Sequence, residues 1–271
     1  MNIEQPNNEK LLISGLKFPE GPVFDSVGNL WFVEIHGGNL SKWDGENLTR
    51  YPVDGTPNGA AIDKHGIIWF CDSGRGEIRT FNPQTESFQT ICNTTSDGQN
   101  LKKPNDLIFD SVENLIFSDH ADGREELIST ICVLPKGEKI ATIISKNKRF
   151  TNGLALTKDE KKLIFAETYN QSLWVGDWNV ETAEFSNEKL FAKAGNGPFG
   201  PDGIAFDNDE NLFVTVFNEH VVLKYNTKGE IINSICCMGS RPTSCAFDPF
   251  DRWGLVVTEA ERGEIICFSR Y

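Results

Sequence analysis

The sequence predicts an all-β fold, a six-bladed β-propeller with four-stranded antiparallel blades. The first observation is a short phrase, Pro-X-Gly or a close variant followed by apolar residues, that recurs six times in 271 residues. The second is its spacing, because successive copies begin 38, 47, 47, 50 and 41 residues apart, a step that fits four short strands. The third is that the last repeat is one strand short, whereas an apolar segment precedes the first phrase. Position X is occupied in turn by Glu20, Asn58, Asn105, Asn152, Asp202 and Thr243.

Each phrase predicts the first strand of a β-hairpin. In the first repeat the phrase ends at Asp25, a polar turn containing Gly28 follows, and a second apolar strand covers residues 30–34. Short β-rich runs separated by such turns are typical of hairpins. Two further strands follow most hairpins, as at residues 39–43 and 48–51. We expect the aspartates in these turns to stabilise the turns themselves, on the face opposite the start of the phrases. They are Asp25, Asp63, Asp110 and Asp207.

The ends of the chain predict how the ring closes. The last repeat stops near residue 269 with three strands, and residues 10–14 have no other partner. We therefore expect residues 10–14 to complete the last blade, which would remove the free edges of the ring. Six repeats fill the sequence, so residues 1–271 are predicted to form a single propeller domain.

Composition limits the partners. A formal net charge of −13 argues against nucleic acid and against anionic membrane surfaces. Residues 1–10 are polar and lack the apolar core of a signal peptide, and the seven Cys are irregularly spaced. These features predict free thiols and a cytoplasmic location. The partner is expected to be a small molecule, with neither nucleic acid nor membrane involved, and the protein to be a monomer or a weak dimer.

The six X residues predict a cation site. Arranged around an axis, they bring oxygen donors together, including the carboxylates of Glu20 and Asp202. Charged groups in such a crowded place are costly unless they are paired or bound to a metal, and neither phrase contains Lys or Arg. With the amides of Asn105 and Asn152, the set suits Ca²⁺, Mg²⁺ or Mn²⁺. A bound cation makes a coordinated water more acidic, and Asp202 could accept its proton. For Asn58 and Thr243 we favour turn geometry or passive lining.

Two histidines are predicted to lie near this site. His36 and His120 follow second strands, which end on the same face as the phrases begin. Both are therefore candidates for substrate binding. His65 falls in a hairpin turn on the opposite face and is expected to have no part in the site, while the role of His220 is left open.

The order of the phrases resembles the regucalcin/gluconolactonase/luciferin-regenerating-enzyme family. The resemblance rests on Pro19-Glu20-Gly21-Pro22, Lys103-Pro104-Asn105-Asp106, Thr151-Asn152-Gly153-Leu154 and Pro201-Asp202-Gly203, and it covers nearly the whole chain. It implies a propeller with a divalent cation at its axis, held by Glu20, Asn152 and Asp202. It also implies that Asn105 binds substrate and that Asp202 is the general base. Members of the family hydrolyse sugar lactones, and related propellers hydrolyse organophosphates.

One position departs from that family. Animal members have Arg two residues before the Asn that corresponds to Asn105, whereas this chain has Lys103. Lys provides a point charge without a bidentate fork, so sugar recognition is expected to differ, although Lys103 remains a predicted substrate contact.

The predicted function is a metal-dependent lactonase that opens a sugar-type lactone. One divalent cation is expected as cofactor, calcium first, with magnesium, manganese, zinc or iron as alternatives. Two other functions stay open at this point: a phosphotriester hydrolase on the same metal, and a non-catalytic ligand-binding propeller.

Overall fold

The computed structural model of the chain describes residues 8–269. It confirms the predicted all-β propeller, because 24 strands form six four-stranded antiparallel sheets. The helical elements within residues 8–269 are two short 3-10 turns, Ile35–Gly37 and Thr168–Asn170. In this part of the chain no helix has the length and apolar character needed to cross a membrane.

The blades follow one another along the chain. Blade 1 contains β2 (Pro19–Phe24), β3 (Leu30–Glu34), β4 (Asn39–Trp43) and β5 (Leu48–Pro52). Blade 2 contains β6 (Pro57–Ile62), β7 (Ile68–Asp72), β8 (Glu77–Asn82) and β9 (Ser87–Cys92). Blade 3 contains β10 (Pro104–Phe109), β11 (Leu115–Asp119), β12 (Ser129–Leu134) and β13 (Thr142–Lys148).

The second half of the ring repeats the pattern. Blade 4 contains β14 (Thr151–Leu156), β15 (Lys162–Glu167), β16 (Ser172–Asn179) and β17 (Glu184–Lys193). Blade 5 contains β18 (Pro201–Phe206), β19 (Leu212–Val216), β20 (Val221–Tyr225) and β21 (Ile231–Cys236). Blade 6 contains β22 (Pro242–Phe247), β23 (Leu255–Glu259), β24 (Glu264–Phe268) and, from the start of the chain, β1 (Glu9–Ile13).

The first strand of every blade, hereafter the inner strand, lies at the axis. Each inner strand contacts the inner strand of the next blade, and β22 contacts β2 to close the ring. The second strands supply much of the core between blades, since a fully buried Phe stands at the centre of four of them: Phe32, Phe70, Phe117 and Phe165. Burial of such large apolar side chains is the main favourable term in holding neighbouring blades together.

Strand β1 closes the last blade as predicted, with bounds one residue earlier than expected. It pairs antiparallel with β24, with Glu9 opposite Phe268 and Leu11 opposite Ile266. Ile13 is buried and joins a core cluster with Leu30 and Phe32 of blade 1. The strand therefore links the two ends of the ring through backbone hydrogen bonds and apolar packing.

A chain that begins at Gly15 should be much less stable. It would lose the pairing of β1 and leave the edge of β24 exposed, which also favours aggregation. Loss of the buried Ile13 side chain alone is expected to cost about 2–5 kcal/mol, and we expect the Tm to fall by roughly 10 °C. Thermal unfolding followed by circular dichroism measures this, with a chain that begins at Asn8 as the control. Equal Tm values for the two chains would contradict the closing role of β1.

The predicted turn aspartates lie in the hairpin turns. Asp25 accepts hydrogen bonds from the backbone N–H of Val27 at 3.1 Å and of Asn29 at 2.8 Å, and from Trp31 Nε1 at 3.0 Å. The two backbone hydrogen bonds recur at Asp63, Asp110, Asp207 and Asp248. These carboxylates therefore fix turns, as predicted.

Candidate active site

The inner strands bring most of the X residues into one cavity. Its volume is about 430 Å³, and five X residues line it: Glu20, Asn58, Asn105, Asn152 and Asp202. The sixth, Thr243, is fully buried beside the cavity and donates a hydrogen bond through Oγ1 to the carbonyl of Pro19 at 2.9 Å. The volume is in the range of sites that hold small molecules.

A glycine after position X lets neighbouring blades approach. A Cβ atom on Gly153 would lie 2.5 Å from the carbonyl oxygen of Asp202 and 2.8 Å from Cα of Gly203. No real side chain tolerates those distances, so Gly153 is required for blades 4 and 5 to meet. The close approach places Asn152 and Asp202 side by side at the axis.

Every inner strand is irregular where the X residue stands. In blade 1 the pairing between β2 and β3 shifts register between Glu20 and Val23, and the other five blades shift at the equivalent place. A β-bulge bends its strand and re-aims the local side chains, and bulges are frequent beside active sites. The regular hairpins predicted from the sequence did not include these bulges.

Burial and neighbouring negative charges disfavour ionisation of the two axial carboxylates, Glu20 and Asp202. Burial, followed by the charge of Asp202, raises the pKa of Glu20 well above its ordinary value. Burial also raises the pKa of Asp202, while a hydrogen bond with the side chain of Asn152 partly opposes the rise. Two carboxyl groups close together in a low-dielectric environment tend to keep a proton unless a positive charge is bound between them.

A third buried carboxylate, Asp106, stands directly after the X residue Asn105 and was not predicted to influence the site. It occupies the position of the phrase where four other copies have Gly, and burial raises its pKa to about 6. It accepts backbone N–H groups from Leu107 at 2.9 Å and Leu154 at 3.3 Å, and its charge raises the pKa of both Glu20 and Asp202. The substitution of Asp for Gly in the repeat was the signal that could have revealed it.

The donor set fits a hard divalent cation. Glu20 Oε2 accepts the N–H of Gly21 at 2.8 Å, and the carboxylate keeps lone pairs that can bind a cation. Asn152 Nδ2 donates to Thr168 Oγ1 at 3.2 Å, so its Oδ1 is the atom left to act as a ligand. Across residues 8–269, no group of three or more His, Cys, Asp and Glu could by itself hold a metal. A cation at the axis would use two carboxylates and an amide, which are hard oxygen donors.

The predicted substrate contacts divide into two groups. Asn105, His36 and His120 line the cavity. Lys103 does not, because its Nζ points to Asp122 at 3.1 Å and about half of its side chain is exposed. The positively charged side chains that line the cavity are instead Arg124 and Arg241, which were not predicted from the sequence. Arg241 stands two residues before the X position of blade 6, as Lys103 does in blade 3, so the repeat itself held the signal.

The acids that end the second strands brace loops and do not point into the cavity. Asp119 accepts the backbone N–H groups of Lys102 at 2.7 Å and Lys103 at 2.8 Å. In the other blades whose second strand ends in an acid, the carboxylate likewise accepts a backbone N–H from the segment before the inner strand. These acids are Glu34, Asp72, Glu167 and Glu259. They set the position of the residues that enter the site.

His120 is held as a neutral hydrogen-bond donor. Its Nδ1 accepts the backbone N–H of Asp122 at 3.0 Å, so the proton of the neutral ring lies on Nε2. Burial lowers its pKa to about 4, and the nearby charges of Lys103 and Arg124 act in the same direction while Asp122 opposes them. His36, in contrast, is exposed at the cavity mouth.

The titration of His120 can be measured directly. We expect its imidazole resonances in NMR to move with a midpoint of about 4, and the ring to remain neutral at pH 5.5. A His120→Gln variant identifies the resonances by their loss. A midpoint at or above the ordinary value of 6.5 would show that His120 carries charge near neutral pH and would remove its assignment as a neutral donor.

Comparison with known families gives a match over most of the chain. The sequence model of the family described as SMP-30/Gluconolactonase/LRE-like region matches residues 18–261. That range includes every X residue and all six inner strands. A lactonase drp35 from Staphylococcus haemolyticus is 27% identical over 241 residues, covering 85% of this chain and 72% of the relative.

Solved structures give the same fold. A gluconolactonase from Xanthomonas campestris superposes with a TM-score of 0.83 at 20% identity, covering 95% of this chain and 88% of that chain. A calcium-binding protein, regucalcin, from Agrobacterium tumefaciens superposes with a TM-score of 0.84 at 18% identity, covering 96% and 92%. At these identities the likeness establishes the propeller fold.

Proposed function

Because the chain belongs to the SMP-30/gluconolactonase/LRE-like family, we propose that it is a hydrolase that opens a lactone ring in the axial cavity with the help of one divalent cation. The names of its relatives, lactonase and gluconolactonase, support lactone hydrolysis. The proposal of a cation is supported above all by one observation: two buried carboxylates, Glu20 and Asp202, line the same cavity and both have raised pKa values. A bound cation would compensate their negative charges.

The cation would be held by Glu20, Asn152 and Asp202. These side chains are buried, come from blades 1, 4 and 5, and line the cavity together. Calcium is the first candidate because all the donors are oxygens, with magnesium, manganese, zinc or iron as alternatives. When bound, it would polarise the lactone carbonyl and favour loss of a proton from the attacking water.

The residues of the chain supply the remaining chemistry. Asp202 would accept the proton of the attacking water, because its carboxylate lines the cavity and would be ionised beside the bound cation. The amide of Asn105 and the Nε2–H of His120, both lining the cavity, would donate hydrogen bonds to the carbonyl oxygen as it gains negative charge. Lys103 would act from outside the cavity, by holding Asp122 next to Arg124.

A panel of lactones and a phosphotriester tests the proposed function. We expect γ- and δ-lactones to be opened with release of acid, detected by a pH indicator, and paraoxon to be a much poorer substrate. Turnover of the phosphotriester without any lactone turnover would replace the proposal by phosphotriester hydrolysis. Absence of turnover in both assays, with cation present, would favour a non-catalytic binding propeller.

A further inference from the structure

Seven aromatic rings form a continuous arc around the axial cavity, and all seven line it. We call them the aromatic arc: His36, Phe18, Phe217, Phe199, Tyr169, Phe150 and His120. Neighbouring ring centroids in that order lie 4.8, 6.3, 5.4, 5.7, 5.4 and 4.0 Å apart. Rings at these distances are in mutual contact and favour offset or edge-to-face arrangements.

The arc is not part of the core. Its five Phe and Tyr rings are only half-buried, whereas the Phe residues at the centres of the second strands, such as Phe70 and Phe117, are fully buried. Arg124 lies over Phe150 and Tyr169, and Arg241 over Phe217, each within about 6 Å of the ring centroid. The arc therefore keeps apolar surface in contact with the cavity, where a ligand would cover it.

Backbone strain at two members indicates that the arc is maintained for a purpose. Phe18 and Phe150 have φ angles of 59° and 60°, in the left-handed region that bulky residues avoid. They stand just before the phrase in blades 1 and 4, and the equivalent residues of the other blades have no positive φ. Strained conformations of this kind cluster at ligand-binding sites.

The cavity thus has two unlike sides. Its polar side contains Glu20, Asn105, Asn152 and Asp202, while the arc offers ring faces and edges, with the guanidinium groups of Arg124 and Arg241 over three of its rings. A sugar lactone could use only the polar groups of the cavity, whereas an aryl group can also stack on the half-buried Phe and Tyr rings of the arc. We infer that the preferred substrate is a lactone with an aromatic or other flat apolar substituent, which the arc binds while the ring carbonyl faces the axial carboxylates.

This inference rests on the proposed function for its lactone, so the experiment separates the two. Initial rates are compared for γ-butyrolactone, γ-phenyl-γ-butyrolactone and D-glucono-δ-lactone. We expect kcat/KM for the phenyl lactone to exceed that of each of the others by at least about tenfold, the effect of one well-packed aromatic group. The ratio of phenyl to parent lactone should fall by about tenfold in Phe199→Leu and in Phe217→Leu.

The control is Phe250→Leu, an exposed aromatic in the hairpin turn of blade 6, which should keep the wild-type ratio. Binding is measured in parallel by calorimetry with 4-hydroxy-4-phenylbutanoate and 4-hydroxybutanoate, the ring-opened forms, in the presence of Ca²⁺. We expect the phenyl compound to bind wild-type protein at least about tenfold more tightly.

The outcomes are distinct. Phenyl-selective binding that is lost in the Leu variants, without turnover of any lactone, would support the arc as a binding surface and contradict the proposed lactonase. Lactone turnover with no phenyl preference, or with a preference for D-glucono-δ-lactone, would overturn the inference and leave the lactonase standing. A phenyl preference that survives both Leu variants would also overturn it.

Discussion

Asp202→Asn is expected to lower kcat/KM for lactone hydrolysis by about 10²–10⁴-fold while the fold is kept. The substitution preserves shape but removes the group that would accept the proton of the attacking water. It also weakens cation binding, since a charged donor becomes neutral. The side chain is hydrogen-bonded to Asn152, whose amide cannot accept the proton in its place, and Asp106 does not line the cavity.

The matched control is Asp209→Asn, which makes the same change on an exposed side chain in the hairpin turn of the same blade. It should retain the wild-type rate. Rates of Asp202→Asn are measured at saturating cation, so that weaker binding does not account for the loss. A variant that keeps more than about a tenth of the wild-type kcat/KM would exclude Asp202 as general base.

Glu20→Gln should abolish tight cation binding and change the stability of the cation-free protein. In wild-type protein, added Ca²⁺ should stabilise the fold by about 2.7 kcal/mol at a concentration of one hundred times Kd. The variant should show little such gain, because one of its two charged donors is lost. Calorimetric titration and thermal unfolding measure the two effects, with Glu46→Gln, an exposed acid of blade 1, as control.

The same variant reports on the buried acids through pH. A carboxylate whose pKa is raised on folding contributes stability below its unfolded pKa, and that contribution is lost as pH rises through the folded pKa. For Asp106 this contribution is lost over the pH range from 3.8 to about 6, its ordinary and its folded pKa. The pKa of Glu20 is also raised, well above its ordinary value. Cation-free wild-type protein should therefore lose stability relative to Glu20→Gln as pH rises above 4.5, the ordinary pKa of Glu20.

His120 acts in the opposite sense over part of this range. Its pKa is lowered on folding, so its contribution is lost as pH falls from 6.5 towards about 4. Because His120 is present in both proteins, its contribution cancels in the difference between them. Equal pH dependence of the unfolding free energy in wild type and variant would contradict the raised pKa of Glu20.

The repeat was sufficient to predict the architecture and the face on which the site lies. Glu20 and His36 were expected on one face because a hairpin returns its second strand to the start of the first, and Pro19 does pair with Glu34. The missing fourth strand of blade 6 predicted β1 to within one residue. These inferences depend on backbone periodicity, which a sequence expresses directly.

Features that depend on side-chain packing between blades could not be obtained in this way. Lys103 was expected at the substrate, but its ammonium group pairs with Asp122, a loop residue whose position depends on the bonds made by Asp119. The rings of the aromatic arc come from loops of several blades, and no local pattern shows that they meet. The bulge at each X residue is likewise a property of the paired strands.

The most direct test of the central claim is a titration of cation-free protein with Ca²⁺ in which bound cation and the rate of lactone hydrolysis are measured in the same samples. Chelated wild-type protein should be inactive, and both quantities should rise together and saturate at one cation per chain. Glu20→Gln should show neither rise over the same range. Full lactonase activity in the chelated protein, or binding that saturates without any change in rate, would contradict a cation at the axis as the basis of the reaction.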